Sequence, residues 1–70
     1  MDNVFIGQEI EKELRTQNRS VVWFASMLDC NRTTVYKIFG RESLDAELLL
    51  KISNILKRNF FSDYTRRLSI

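Results

Sequence analysis

The chain has 70 residues, enough for one small domain spanning 1–70. It contains no Pro and only two Gly, which disfavours a β-sandwich or barrel, since these folds need many turns, and favours an all-helical bundle. One cysteine and no histidine exclude an intrachain disulfide, a Cys/His zinc site and any histidine-dependent triad. We therefore expect neither a metal nor a cofactor.

Targeting and catalytic signals are also missing from the sequence. Its longest uninterrupted apolar run, Val21–Ala25, is too short to cross a membrane, and no signal segment opens the chain. We expect a cytoplasmic protein. Enzymatic activity is the weakest expectation, because the chain offers no evident carboxylate pair and no phosphate-cradling glycine loop.

The segment 31–41 is locally positive, although the formal net charge is only +2. Residues 1–20 hold three basic and four acidic side chains, a net of −1. Residues 31–41 hold Arg32, Lys37 and Arg41 and no acid, a net of +3. A local basic segment of this kind is typical of a nucleic-acid contact, and a solvated helix face is the plainer interpretation.

Apolar spacing predicts two amphipathic helices in the first part of the chain. The first begins at about Val4, carries Ile6, Ile10 and Leu14 in steps of four, and ends in the polar stretch 16–19. The second covers about 21–28, with Ser20 as its N-cap. Its buried stripe consists of Phe24, Ala25 and Leu28, and the small Ala25 leaves room for a helix that crosses closely.

A polar break at 29–31 separates the second helix from a third. The third covers about 32–39, with Asn31 as its N-cap and Val35 and Ile38 turned to the core. Gly40 then suits a left-handed position after the helix end.

Two more helices are predicted after Asp45, which is the expected N-cap of the fourth helix. The fourth has the strongest periodic pattern in the chain, and Asn59 is its expected stop. A short fifth helix is expected over about 61–68. The prediction is thus a compact bundle of five short helices with its core over about 4–68. The apolar positions of the fourth helix are Leu48, Leu49, Ile52, Ile55 and Leu56.

The second and third helices resemble the helix-turn-helix of the phage-repressor-like family, which includes the lambda-type repressors and Xre-like regulators of bacteria and phages. The resemblance extends from about Ile6 to Leu68. That family usually has Gly where this chain has Asp29, so we expect a left-handed backbone at Asp29. The residues that carry the resemblance are Phe24, Ala25, Leu28, Asp29 to Asn31, Val35, Ile38, Gly40 to Leu44 and Leu48 to Leu50.

The resemblance implies sequence-specific binding of double-stranded DNA by a transcriptional regulator, associated with the nucleoid. The third helix would enter the major groove. The expected base contacts are Arg32, Thr33, Tyr36 and Lys37. For Tyr36 the alternative is a half-buried packing role, and for Lys37 plain solvation.

Phosphate contacts are expected at the helix starts and in the loop after the third helix. Free backbone N–H groups at a helix start favour an anion. Asn31 has a simpler alternative role as a helix cap. The expected phosphate contacts are Ser20, Val21, Asn31, Arg41 and Ser43.

A protein-interaction module, or an antitoxin-type partner protein that keeps the fold, is the alternative function. Trp23, Tyr36, Phe39 and Phe60, expected on or near surfaces, favour it. The family also implies a homodimer, formed through the C-terminal helix or exposed apolar residues such as Phe60, Phe61 and Ile70. One of Phe60 and Phe61 is expected to close the monomer core instead.

Overall fold

The structure is a computed structural model that describes residues 5–62. Within these residues it contains four α-helices. They are α1 (Ile6–Thr16), α2 (Val21–Leu28), α3 (Arg32–Phe39) and α4 (Ala46–Leu56). The all-helical prediction is confirmed, and the number of helices within these residues is four, not five. Phe61 and Ser62 are helical, and the rest of the predicted fifth helix lies outside the described residues.

Side-chain caps start three of the helices, as predicted. Ser20 accepts a hydrogen bond from the Trp23 N–H at 3.0 Å, which caps α2. Asn31 and Asp45 cap α3 and α4 in the same way, with distances of 3.1 Å and 2.8 Å to backbone N–H groups three residues on. Each cap satisfies a backbone donor that the helix leaves unpaired, which typically stabilises the helix by about 1 kcal/mol.

The start of α1 is capped by another part of the chain. Phe5, which precedes α1, provides no side-chain cap. Instead, the N–H groups of Ile6 and Gly7 donate to the carbonyls of Glu42 and Arg41, at 3.2 Å and 3.0 Å. The loop after α3 therefore holds the first turn of α1.

Left-handed residues end three helices, and none of them is glycine. Asn18, Asp29 and Lys57 have φ values of 58°, 59° and 57°. The prediction for Asp29 is confirmed. The prediction for Gly40 is wrong, since its φ is −88°. The predicted stop of α4 at Asn59 is also wrong, because Lys57 already turns the backbone out of the helix.

The core is built from the apolar stripes of all four helices, together with Leu44 and Phe60. Phe60 is fully buried, which confirms that one of the two terminal phenylalanines closes the monomer core. The expectation that Phe39 and Phe60 lie at the surface is wrong, since both are buried, and Trp23 is half-buried against the core. Burial of fourteen apolar residues within 5–62 is the main source of stability for these short helices.

Polar contacts tie the end of α4 back to α1. Arg58 forms ion pairs with Glu13 at 3.0 Å and Glu9 at 3.6 Å. Gln17 donates through Nε2 to the Glu13 carboxylate at 2.8 Å and to the Leu56 carbonyl at 2.7 Å. The Leu56 carbonyl is one of those that the end of α4 leaves without a helical partner, so Gln17 caps α4 from α1.

No helix within residues 5–62 combines the length and the apolar character that crossing a membrane requires.

Candidate nucleic-acid interface

The turn between α2 and α3 fixes the direction in which α3 leaves α2. With Asp29 left-handed, its N–H donates to the Ser26 carbonyl at 3.2 Å, and the Cys30 N–H donates to the Ala25 carbonyl at 3.0 Å. This pair of bonds is the Schellman arrangement that usually requires glycine. Asn31 then starts α3 at once, so only three residues separate the two helices.

One face of α3 is buried and holds the helix against the bundle. Val35, Ile38 and Phe39 belong to the core that they share with Phe24 and Leu28 of α2. Because these residues recur at three- and four-residue spacing, the opposite face of α3 must point to solvent.

That solvent face contains all four predicted base-contact residues. Arg32, Thr33, Tyr36 and Lys37 are exposed. Arg32 and Tyr36 are four residues apart, as are Thr33 and Lys37, so the four side chains form two adjacent rows. Tyr36 is 59% exposed, which rules out the half-buried packing role that was its alternative.

Tyr36 nevertheless contacts another aromatic side chain of its own helix. Its ring meets the Phe39 ring edge-on, with centroids 6.2 Å apart and an interplanar angle of 78°. Phe39 is buried, so this contact anchors one edge of an exposed aromatic ring.

The cations of this region are not neutralised by any side chain within residues 5–62. No residue of the described part of the chain forms a hydrogen bond or an ion pair with the side chains of Arg32, Lys37 or Arg41. Their charges are therefore available to an external anion. Asp29, in the turn beside α3, is exposed and is an acidic group at this surface.

Four of the five predicted phosphate contacts divide into two groups. The side-chain oxygens of Ser20 and Asn31 are used as caps, and Asn31 Oδ1 also accepts from the Thr34 hydroxyl at 3.2 Å. The capping alternative for Asn31 is thus confirmed. Arg41 and Ser43 are exposed in the loop after α3, where they are open to a phosphate.

The first turn of α2 presents backbone donors. The Val21 side chain is half-buried against the core. The N–H groups of Val21 and Val22 have no acceptor within residues 5–62. Such groups are the usual anion-binding feature of a helix start.

Arg19 is a feature of this surface that the sequence analysis missed. Its guanidinium lies over the Trp23 ring, 4.5 Å from the ring centroid. This stacking holds a cation beside the first turn of α2. The four-residue spacing of Arg19 and Trp23 across a helix start could have indicated this stacking from the sequence.

Gly7 is a second residue whose role was missed. A Cβ at Gly7 would lie 2.2 Å from the carbonyl oxygen of Ile38 and 2.5 Å from that of Phe39. Only glycine allows α1 to approach the end of α3 this closely. Gly7 thus helps to determine where α3 sits.

Comparisons of the chain with protein-family models, with curated proteins and with solved structures give no match. Within residues 5–62, no three His, Cys, Asp or Glu side chains come together in a way that could hold a metal ion.

Proposed function

We propose that this protein binds double-stranded DNA sequence-specifically as a transcriptional regulator, with α3 as its recognition helix in the major groove. The observation that carries the proposal is the two-sided nature of α3. Its apolar face is locked in the core, and its polar, cationic face is exposed. The pattern of phage-repressor-like helix-turn-helix residues supports the same interpretation, and association with the nucleoid in the cytoplasm would follow from it.

The exposed side chains of α3 have the chemistry for reading bases. Arg32, in the first turn, suits the two acceptors of guanine, a pairing that typically gives about 1–3 kcal/mol of discrimination. Thr33 can offer its methyl group to thymine or its hydroxyl to a base edge. Tyr36 suits a thymine methyl or a sugar, and Lys37 a guanine or a phosphate.

Phosphates would be bound on either side of α3. On one side are the free N–H groups at the start of α2, with Arg19 beside them. On the other side are Arg41 and Ser43. The side chains of Ser20 and Asn31 would act mainly by holding their helix starts in place.

Selection of bound sequences from a pool of random duplexes tests this proposal. The expected result is an enriched motif, and Arg32→Ala should change the preferred base at one position. Lys12→Ala, on the exposed side of α1, should leave the motif unchanged. A pool that shows no enrichment with the unaltered protein at low salt would contradict the proposal.

A protein-interaction module is the second candidate, because α2 exposes apolar side chains. Val22 and Met27 are 60% and 47% exposed, and Leu50 on α4 is 54% exposed. These residues are the candidates for contacts in a homodimer. Of those named from the sequence, Phe60 is buried, Phe61 is half-buried and Ile70 lies outside the described residues. Sedimentation at micromolar concentration, with and without duplex DNA, tests dimer formation. A monomer under both conditions would contradict it.

A further inference from the structure

A groove lies where the end of α2, the side of α3 and the start of α4 meet, and we call it the α3–α4 groove. Its volume is about 280 Å³. Its floor is apolar and is formed by Leu28, Ile38, Leu44 and Leu48, with Cys30 also in its lining. The volume is close to the lower end of the range for small-molecule sites, roughly 300–1,000 Å³.

The polar part of the groove carries charge of one sign. Lys37 and Arg41 of the α3 side and Lys51 of α4 line it, and no carboxylate of residues 5–62 does. Asp45 and Glu47 line a neighbouring depression that shares Lys51 and Leu48 with the groove. The three cations have no ion-pair partner among residues 5–62.

An anion would find several positive charges in the groove. Lys37 lies in the last turn of α3 and Arg41 in the loop after it, and both line the groove together with Lys51 of α4. An apolar floor beside a cluster of cations is complementary to a molecule that has an apolar body and one negative group. The small volume favours a small molecule over a helix of a protein partner.

We propose that the α3–α4 groove binds a small amphiphilic anion, such as a carboxylate with a short alkyl chain. The alkyl chain packs on Leu44 and Leu48, and the carboxylate lies among Lys37, Arg41 and Lys51. Binding itself requires no DNA. A regulatory consequence, which rests on the proposed DNA-binding function, follows from the sharing of Lys37 and Arg41: an occupied groove weakens DNA binding.

Octanoate is the probe for the binding step, followed through the backbone amide signals of the ¹⁵N-labelled protein. We expect saturable shifts centred on Cys30, Ile38 and Leu44. Octylammonium, with the same chain and the opposite charge, should produce none, and acetate, with the charge alone, should bind far more weakly. Octanoate should also slow alkylation of Cys30 by iodoacetamide. Absence of saturable shifts, or equal shifts with octylammonium, would overturn the proposal.

A variant of Lys51 tests the charge argument without touching the proposed DNA contacts. Lys51→Gln should weaken octanoate binding roughly threefold, in keeping with the loss of one exposed charge contact. Lys12→Gln is the matched control, because Lys12 is an exposed lysine outside the groove, and it should not change the affinity. Equal affinity for octanoate in the unaltered protein and Lys51→Gln would contradict the assigned position of the carboxylate.

Measurements of DNA affinity in the presence of octanoate separate the groove proposal from the proposed function. Octanoate should lower the affinity of the unaltered protein for a duplex, and Lys51→Gln should need roughly threefold more octanoate for the same effect. If octanoate binds and no duplex does, the proposed function fails and the groove assignment stands. If a duplex binds and octanoate does not, the groove assignment fails alone. Binding of an acidic amphipathic peptide in place of octanoate would also overturn the small-molecule assignment.

Discussion

Gly7 of α1 lies directly against the backbone carbonyl of Ile38 in α3, with only 2.2 Å between that oxygen and the position that a Cβ would take. The N–H of the same glycine donates to the Arg41 carbonyl at 3.0 Å. The start of α1 thus meets the end of α3, where the helix dipoles attract each other. This contact holds the end of the proposed recognition helix against α1.

Replacing Gly7 by alanine should therefore destabilise the protein, although alanine is normally the better helix former. The added methyl group meets backbone atoms that cannot rotate away, so we expect a loss of about 2 kcal/mol in the free energy of unfolding. Gly40→Ala is the matched control. Its Cβ would find its nearest neighbour at 3.7 Å, so it should be neutral or stabilising by less than about 1 kcal/mol. Urea unfolding measures both, and equal midpoints for the two variants would contradict the close approach.

The left-handed residue in the turn between α2 and α3 should prefer glycine. Asp29→Gly should raise the free energy of unfolding by about 0.5–1 kcal/mol, because relief of the left-handed backbone exceeds the added chain entropy. Lys57→Gly should act in the same direction at the end of α4, where φ is 57°. Ser26→Gly, inside α2, is the control and should lower stability by about 0.5 kcal/mol. Thermal unfolding measures the three variants. A lower unfolding midpoint in all three would contradict the account.

Glu13 should make stability depend on acidity. The hydrogen bond from Gln17 is the largest influence on Glu13 and lowers its pKa below the ordinary value. Burial, the next largest, opposes this shift, and the hydrogen bond and charge of Arg58 lower the pKa further. A carboxyl whose folded pKa is lower than its unfolded pKa stabilises the fold above the unfolded value. That contribution is lost as the pH falls through the folded value.

Glu13→Gln should accordingly lower stability at neutral pH, by less than about 1 kcal/mol because the site is partly open to water. The difference from the unaltered protein should shrink as the pH is lowered through the carboxyl range. Glu11→Gln is the control, since Glu11 pairs only with the exposed Arg15 on the same helix. Urea unfolding at a series of pH values measures the effect, and a Glu13→Gln deficit that stays constant with pH would contradict it.

Local chemistry explains how much of this fold could be predicted. Ser20, Asn31 and Asp45 act within three residues of themselves, so sequence alone located the starts of α2, α3 and α4. The burial of Val35 and Ile38 followed from helical spacing in the same way. The four exposed residues of α3 were predicted because they are what that spacing leaves outside.

Contacts between residues that are distant in the chain could not be predicted from the sequence. The roles of Gly7 and Gln17 depend on the crossing of α1 with α3 and with the end of α4, which no local pattern encodes. Gly40 was predicted to be left-handed because glycine most often is at a helix end, but Asn18, Asp29 and Lys57 take that role here. The α3–α4 groove likewise requires Lys37 and Lys51 to approach from separate helices.

The salt dependence of DNA affinity tests the central claim most directly. It is measured by fluorescence anisotropy on one labelled duplex for the unaltered protein, Lys37→Ala and Lys12→Ala. The account predicts a steep loss of affinity with rising salt, because bound cations release counterions from DNA. Lys37→Ala should weaken binding and, if Lys37 lies on a phosphate, reduce the logarithmic salt slope by about one, whereas Lys12→Ala should change neither. Absence of binding at low salt, or an equal loss of affinity in both variants, would contradict the account.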